Sequence, residues 1–133
     1  MDTQPKMIKS KRFNKSVPHL PVKNLQLTLD YYRNKLGFTD DWTFDDKDGG
    51  ISRDDLHLLF AEDNDFTNDI NKKNHRLPLL WFVNDIDSIY AEFKYRNIEL
   101  ADNLRTHPYG LKEFAFIDIS GYYIRIAERT AVE

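Results

Sequence analysis

The stretch SVPHLPVKNLQLTLDYYRNKLGF, residues 16–38, reads as a short extended segment that runs straight into an amphipathic helix. Pro18 and Pro21 stiffen Val17 to Val22 and confine it to an edge or exchanged strand, because proline has no N–H to give a ladder. Asn24 is a good N-cap, Leu25, Leu29, Tyr32 and Leu36 recur at spacings of three and four, and Gly37 is placed to stop the helix. Beyond it, FTDDWTF (38–44) sets Phe38, Trp42 and Phe44 among polar residues, DDKDGG (45–50) reads as a turn, ISR (51–53) is short, and LHLLFA (56–61) is strongly strand-like. The first half is therefore βαβββ.

The second half repeats that order. LPLLWFV (77–83) is an apolar strand, Asp85 is placed to cap a helix carrying Ile86, Ile89, Tyr90 and Phe93, and NIEL (97–100) starts the next strand. After THPYG (106–110), KEFAFID (112–118) and YYIRIAE (122–128) form a hairpin across ISG. Asn24 after Val22 and Asp85 after Val83 hold matching places, which makes an internal repeat of about 60 residues. The expected organisation is a basic flexible leader over residues 1–15 and one domain over 16–133. Within the domain lie modules at 16–62 and 77–128, and the Asn/Asp-rich segment 63–76 between them reads as an exposed loop.

A chain of 133 residues, 41% apolar and 14% aromatic, is long enough for one core and too short for two ordinary independent domains. No apolar run approaches the roughly 18 to 20 residues of a membrane span, and the first fifteen residues hold no continuous apolar region of a secretory signal. Cysteine is absent, which excludes disulfides and thiolate chemistry. A cytoplasmic protein with no membrane partner is the expectation. The net charge of −3 divides into +4 over residues 1–15 and −7 over the rest. Eleven carboxylates between Asp40 and Asp69 face only Lys47 and Arg53, so nucleic acid would be repelled and a cation attracted. There is no nucleophile-elbow sequence and no phosphate-cradling glycine loop, so no catalytic residue is assigned.

The tandem βαβββ order, with VPHLPVKNLQLTLDYYRNKLGF, GGISRDDLHLLFAED (49–63) and PYGLKEFAFIDISGYYIRIAE (108–128), resembles the vicinal oxygen chelate superfamily of glyoxalases, extradiol dioxygenases and bleomycin-resistance proteins. The likeness spans residues 16–128 and is strongest to the bleomycin-resistance branch. It implies an α+β fold in which two βαβββ modules form a curved mixed sheet around a cleft. The places of the metal ligands in metal-binding members fall here on Val17, His57, Pro78 and Arg125, which leaves one donor and puts a guanidinium where a carboxylate would be needed. The resemblance thus implies no metal and no cofactor, and His19, two residues late, is a strand residue rather than a ligand. His75 and His107 are given no site role.

Alternation turns His57, Leu59, Leu80, Phe82, Glu113, Ala115 and Tyr123 toward the cleft with His19. The bleomycin-resistance likeness adds Asp41, Trp42, Leu80 and Tyr109 as ligand contacts, with Trp81 adjacent to Leu80 as the other residue that could hold that place. It also implies a homodimer that exchanges its first strand at Pro18. The function so implied is a metal-free protein that sequesters a cationic or aromatic small molecule, a bleomycin-like glycopeptide among the candidates, in a groove between subunits. Two alternatives stand beside it. One is a metal-dependent glyoxalase-like or dioxygenase enzyme using a displaced set such as His19 and His57, and the other is a protein-interaction module that uses the acidic face.

Overall fold

The computed structural model describes residues 12–130. Residues 1–11 of the basic leader lie outside the described residues. The chain forms β1(His19–Val22), α1(Leu25–Asn34), β2(Thr39–Phe44), β3(Asp48–Arg53), β4(Leu56–Glu62), α2(Asn64–Ile70), β5(Leu79–Phe82), α3(Ile86–Tyr95), β6(Leu100–Thr106), β7(Leu111–Ile117) and β8(Tyr123–Arg129). Each module closes into its own four-stranded sheet, β1-β4-β3-β2 (sheet A) and β5-β8-β7-β6 (sheet B). In both, the first strand runs parallel to the last and the other pairings are antiparallel. The architecture is the α+β tandem expected from the repeat, with one sheet per module.

Helix α1 covers one face of sheet A through Leu25, Thr28, Leu29 and Tyr32, and α3 covers one face of sheet B through Ile86 and Phe93. Phe93 packs edge-on against both Phe114 and Phe116. The two modules share one core. Trp81 lies 5.7 Å from Phe38 and 5.9 Å from Phe116, between rings of both halves. A buried hydrogen bond adds to this seam, with the Tyr32 hydroxyl on α1 donating to Asp118 Oδ2 at 2.6 Å. Asp118 also accepts from the amides of Ser120 and Tyr122, and its burial pushes the carboxyl above its ordinary pKa.

Helix α1 starts as expected, with Asn24 Oδ1 accepting from Leu27 N–H at 2.9 Å, and Gly37 takes the left-handed conformation (φ 71°) that ends it. Three local expectations are corrected. Asp85 does not cap α3 through its side chain, which instead accepts from the Ser88 hydroxyl. Its own φ of 58° turns the carboxylate away, and Glu128 at the end of β8 accepts from the amides of Asp85 and Ile86. Glu62 at the end of β4 serves α1 likewise, accepting from Leu25 N–H at 2.9 Å. The repeat therefore places a last-strand glutamate at the positive end of each module's helix.

The segment 63–76 is not simply a loop. Asp63 caps α2 by accepting from Phe66 N–H, and Thr67, fully buried, anchors the helix where it packs on β1. Finally, the turn after β2 is only Asp45 to Lys47, because Asp48, Gly49 and Gly50 pair into β3. No helix of the described residues is long and apolar enough to cross a membrane.

Candidate functional site

With a helix on one face of each sheet, the opposite face stays open. On sheet A the row His19, Leu59, Gly50, Trp42 runs across all four strands, and the next row is Pro21, Ala61, Asp48, Phe44. The edge strand β2 is exposed along its length, leaving Trp42 49% and Phe44 64% exposed. A Cβ at Gly50 would lie 2.6 Å from Trp42 Nε1, so the indole rests on the backbone of β3 and only glycine admits it. His19 is exposed, with Nε2 3.9 Å from Asp48 Oδ1. Asp41 points the other way. Its carboxylate takes a 2.6 Å salt bridge from Arg33 on α1, which holds its pKa below the ordinary value, so the charge expected to meet a cationic tail is committed on the helix side of β2.

On sheet B the rows are Leu80, Arg125, Ala115, Asp102 and Phe82, Ala127, Glu113, Arg105. Leu80 (39% exposed) and Phe82 (48% exposed) lie on the open face, whereas Trp81 is buried against Phe38 and Phe116. The register is thereby decided: Leu80, not Trp81, stands on the open side of β5. Tyr123 on β8 carries the Arg76 guanidinium over its ring, and Phe82 carries that of Arg129.

Glu113 is the buried centre of a polar cluster. Arg125 donates to both of its oxygens, from Nε at 3.0 Å and from Nη2 at 3.1 Å, and the Tyr109 hydroxyl donates to Oε1. These bonds raise the pKa of Tyr109 and of Arg125. His107 stacks on Tyr109 at 4.7 Å, nearly parallel, and its Nε2 lies 3.3 Å from Glu113 Oε1 without forming an aligned hydrogen bond. Tyr109, 60% exposed, turns its free area outward from this support.

His57 and Leu80 come together with Pro18 in a cavity of about 210 Å3 between the modules. Pro18 O accepts from Leu59 N–H at 3.1 Å, so the chain at the expected exchange point continues into a β1 that pairs with β4 of its own sheet. Trp42 and Leu59 belong to the open face of sheet A and Phe82 and Glu113 to sheet B, with Tyr109 in the β6–β7 turn bonded to Glu113. The donor set does not fit a divalent ion. Val17 and Pro78 offer no side-chain donor, Arg125 is bound to Glu113, and no three His, Asp or Glu side chains converge among the described residues.

Two contributors were not assigned from sequence. Phe44 shares the open face with Trp42, and the signal was its i, i+2 spacing. His107 supports Tyr109 from two residues away across a tight loop closed by Gly110 N–H to His107 O, a contact visible in HPY only once the loop is known to be tight.

The fold is shared with solved structures of low sequence identity. A bleomycin-binding protein from Streptomyces verticillus, solved with copper(II)-bleomycin, matches with a TM-score of 0.70 and 21% identity over 93% of this chain and 100% of that one. An antibiotic binding protein from a Streptomyces species gives 0.67 and 18% over 91% and 99%. A glyoxalase/bleomycin resistance protein/dioxygenase from Nocardioides gives 0.69 and 14% over 95% and 89%. No curated protein sequence matches the chain. The sequence profile of one family matches residues 13–126, nearly the whole described chain. The chain belongs to the glyoxalase/bleomycin resistance protein/dioxygenase superfamily.

Proposed function

We propose that the protein binds and sequesters a cationic or aromatic small molecule between the open faces of sheets A and B, in a homodimer where sheet A of one protomer faces sheet B of its partner. The observation that carries this reading is the pair of open sheet faces bearing Trp42, Phe44, Leu80, Phe82 and Tyr109, all more than a third exposed in a single chain. Flat aromatic surface of this kind suits heteroaromatic rings, and the few polar groups beside it fix orientation. Leu59 and His57 would line the sheet A side, Glu113 the floor of sheet B, and Pro18 would be the hinge if β1 crosses to the partner. Copper(II)-bleomycin bound to one structural neighbour and the antibiotic-binding description of another favour ligands of that chemistry. A cytoplasmic location accompanies the reading. Binding without turnover is favoured over the metal-dependent enzyme by the donors lost at Val17, Pro78 and Arg125.

Titration of the metal-stripped protein with metal-free bleomycin tests it, followed by calorimetry at low and high salt. We expect saturation at one ligand per chain, and an affinity loss of about ten- to hundredfold in Trp42→Ala and in Tyr109→Ala, as for aromatic anchors elsewhere. Saturable binding unchanged by both substitutions in folded protein would overturn the groove, and sedimentation as a monomer at micromolar concentration would overturn its intersubunit form.

A further inference from the structure

A second cavity lies away from the Trp42 face of sheet A. About 280 Å3 in volume, it lies at the seam of the modules, and Phe38, Trp81 and Phe93 form an aromatic floor flanked by Ile89 and Ile126. These residues come from both halves, and the Arg53–Glu92 pair ties β3 of the first module to α3 of the second beside the cavity. Its mouth is acidic. Asp54 and Asp55, the turn of that hairpin, stand at the rim, and neither has an ion-pair partner among the described residues. Asp54 takes a φ of 51°, so the tight turn presents two adjacent carboxylates at one place. Arg53, also in the lining, is paired with Glu92, which accepts from both of its terminal nitrogens at 2.9 and 3.0 Å and also faces Arg96 Nε at 3.6 Å, while Leu36 O accepts at 2.7 Å. Asp54, Asp55 and Glu92 together still outnumber the two guanidinium groups.

We propose that this seam cavity is a second, separate binding site for a compact organic cation, an ammonium carrying one aromatic ring. The ring would enter the apolar pocket against Trp81 and Phe93, and the charge would stay at the mouth beside Asp54 and Asp55. Edge-to-face packing of the ligand ring on Trp81 and Phe93 supplies the contact, and the two carboxylates add a solvent-screened attraction for the ammonium at the mouth. A volume of about 280 Å3 is at the small end of ligand pockets and suits one ring rather than an extended glycopeptide. Of the residues assigned to the open-face groove, only Phe82 touches this cavity.

Trp81 lines both the seam cavity and the smaller cavity of His57, Leu80 and Pro18, so its signal is assigned to the seam by Ile89 and Asp54, which line the seam cavity and not the smaller one. In Trp42→Phe, Trp81 is the sole tryptophan, and its emission is followed while benzyltrimethylammonium is added at low salt. A saturable change is expected, weakened about three- to tenfold by Asp54→Asn with Asp55→Asn and removed by Ile89→Phe, which fills the pocket. Both asparagines keep the turn, because Asn tolerates the same backbone conformation. Benzyl alcohol should bind more weakly than the ammonium. No saturable change, a change that survives both the Asn pair and Ile89→Phe, or equal affinity for the neutral alcohol would overturn the proposal. A signal that survives Ile89→Phe belongs to the groove side, since Ile89 is not among the groove residues, and the groove itself is tested separately through Trp42→Ala and Tyr109→Ala.

Discussion

Gly50→Ala should release Trp42 from the open face of sheet A. The added Cβ would sit 2.6, 2.7 and 2.8 Å from Nε1, Cε2 and Cζ2 of the indole, so the ring must move by about 1 Å or swing away. An indole carries roughly 200 Å2 of surface, and with 49% exposed in place about half of it is covered. Losing that contact costs at most about 2.5 kcal/mol at 25 cal/mol per Å2. The more restricted unfolded chain of alanine returns about 0.4 to 1 kcal/mol. A net destabilisation of about 1 to 2 kcal/mol remains, within the range for overpacking. Urea unfolding should show it as a midpoint lower by about 0.5 to 1 M for a typical slope, with tryptophan emission shifted to the red. The indole is the cause, so the same substitution in a Trp42→Ala background should be nearly free, giving a coupling of more than about 1 kcal/mol in a double-mutant cycle. An additive cycle, or a Gly50→Ala protein with unchanged midpoint and emission, would refute the reasoning.

Two further outcomes are expected. The buried Asp118 carboxyl titrates above its ordinary value, so the folded state holds that proton to higher pH than the unfolded state. Its contribution to stability is full below about pH 3.9 and declines as pH rises through the folded value. Asp118→Asn should therefore flatten the fall in stability as pH rises above about 4, measured by urea unfolding at each pH, and an unchanged slope would count against the shift. Arg53→Ala removes the fork onto Glu92 and the bond to Leu36 O, both partly buried. A loss of about 1 to 2 kcal/mol is expected, and Arg53→Lys should recover less than half, since an ammonium cannot make the two-point contact.

The order of elements was legible because local spacing carries it. Leu25, Leu29 and Tyr32 mark one face of α1, and Phe114 and Phe116 alternate with Glu113 and Ala115 along β7, so period alone separates helix from strand. Where both faces of a strand are apolar, period fails. In LLWF, residues 79–82, either Leu80 or Trp81 could face the open side, and the choice is made by Phe38 and Phe116, 43 residues before Trp81 and 35 after it. Helix α2 was hidden for another reason. Its Asn/Asp-rich composition is that of a loop, while its existence depends on the Asp63 cap and on burying Thr67. The helix-end glutamates are equally non-local, since Glu62 reaches Leu25 and Glu128 reaches Ile86 only after each sheet has closed.

Charge was legible as composition but not as assignment, and this changes how a cation would be recognised. A count of carboxylates makes Asp41 and Glu113 available, yet Arg33 holds the first and Arg125 the second, so neither presents net negative charge to the open faces. The buried Glu113 instead stiffens Tyr109, with His107 stacked behind it, turning a charged residue into the support for an aromatic surface. The carboxylates left for a cation include those of the turns and strand ends, among them Asp48 beside His19 and Asp54 with Asp55 at the seam. All are solvated, and at 0.1 M salt their reach is about 10 Å. They can raise the local concentration of a cation and set its orientation, while the contact area of Trp42, Phe82 and Tyr109 on the open faces, and of Trp81 in the seam, must supply the residence time.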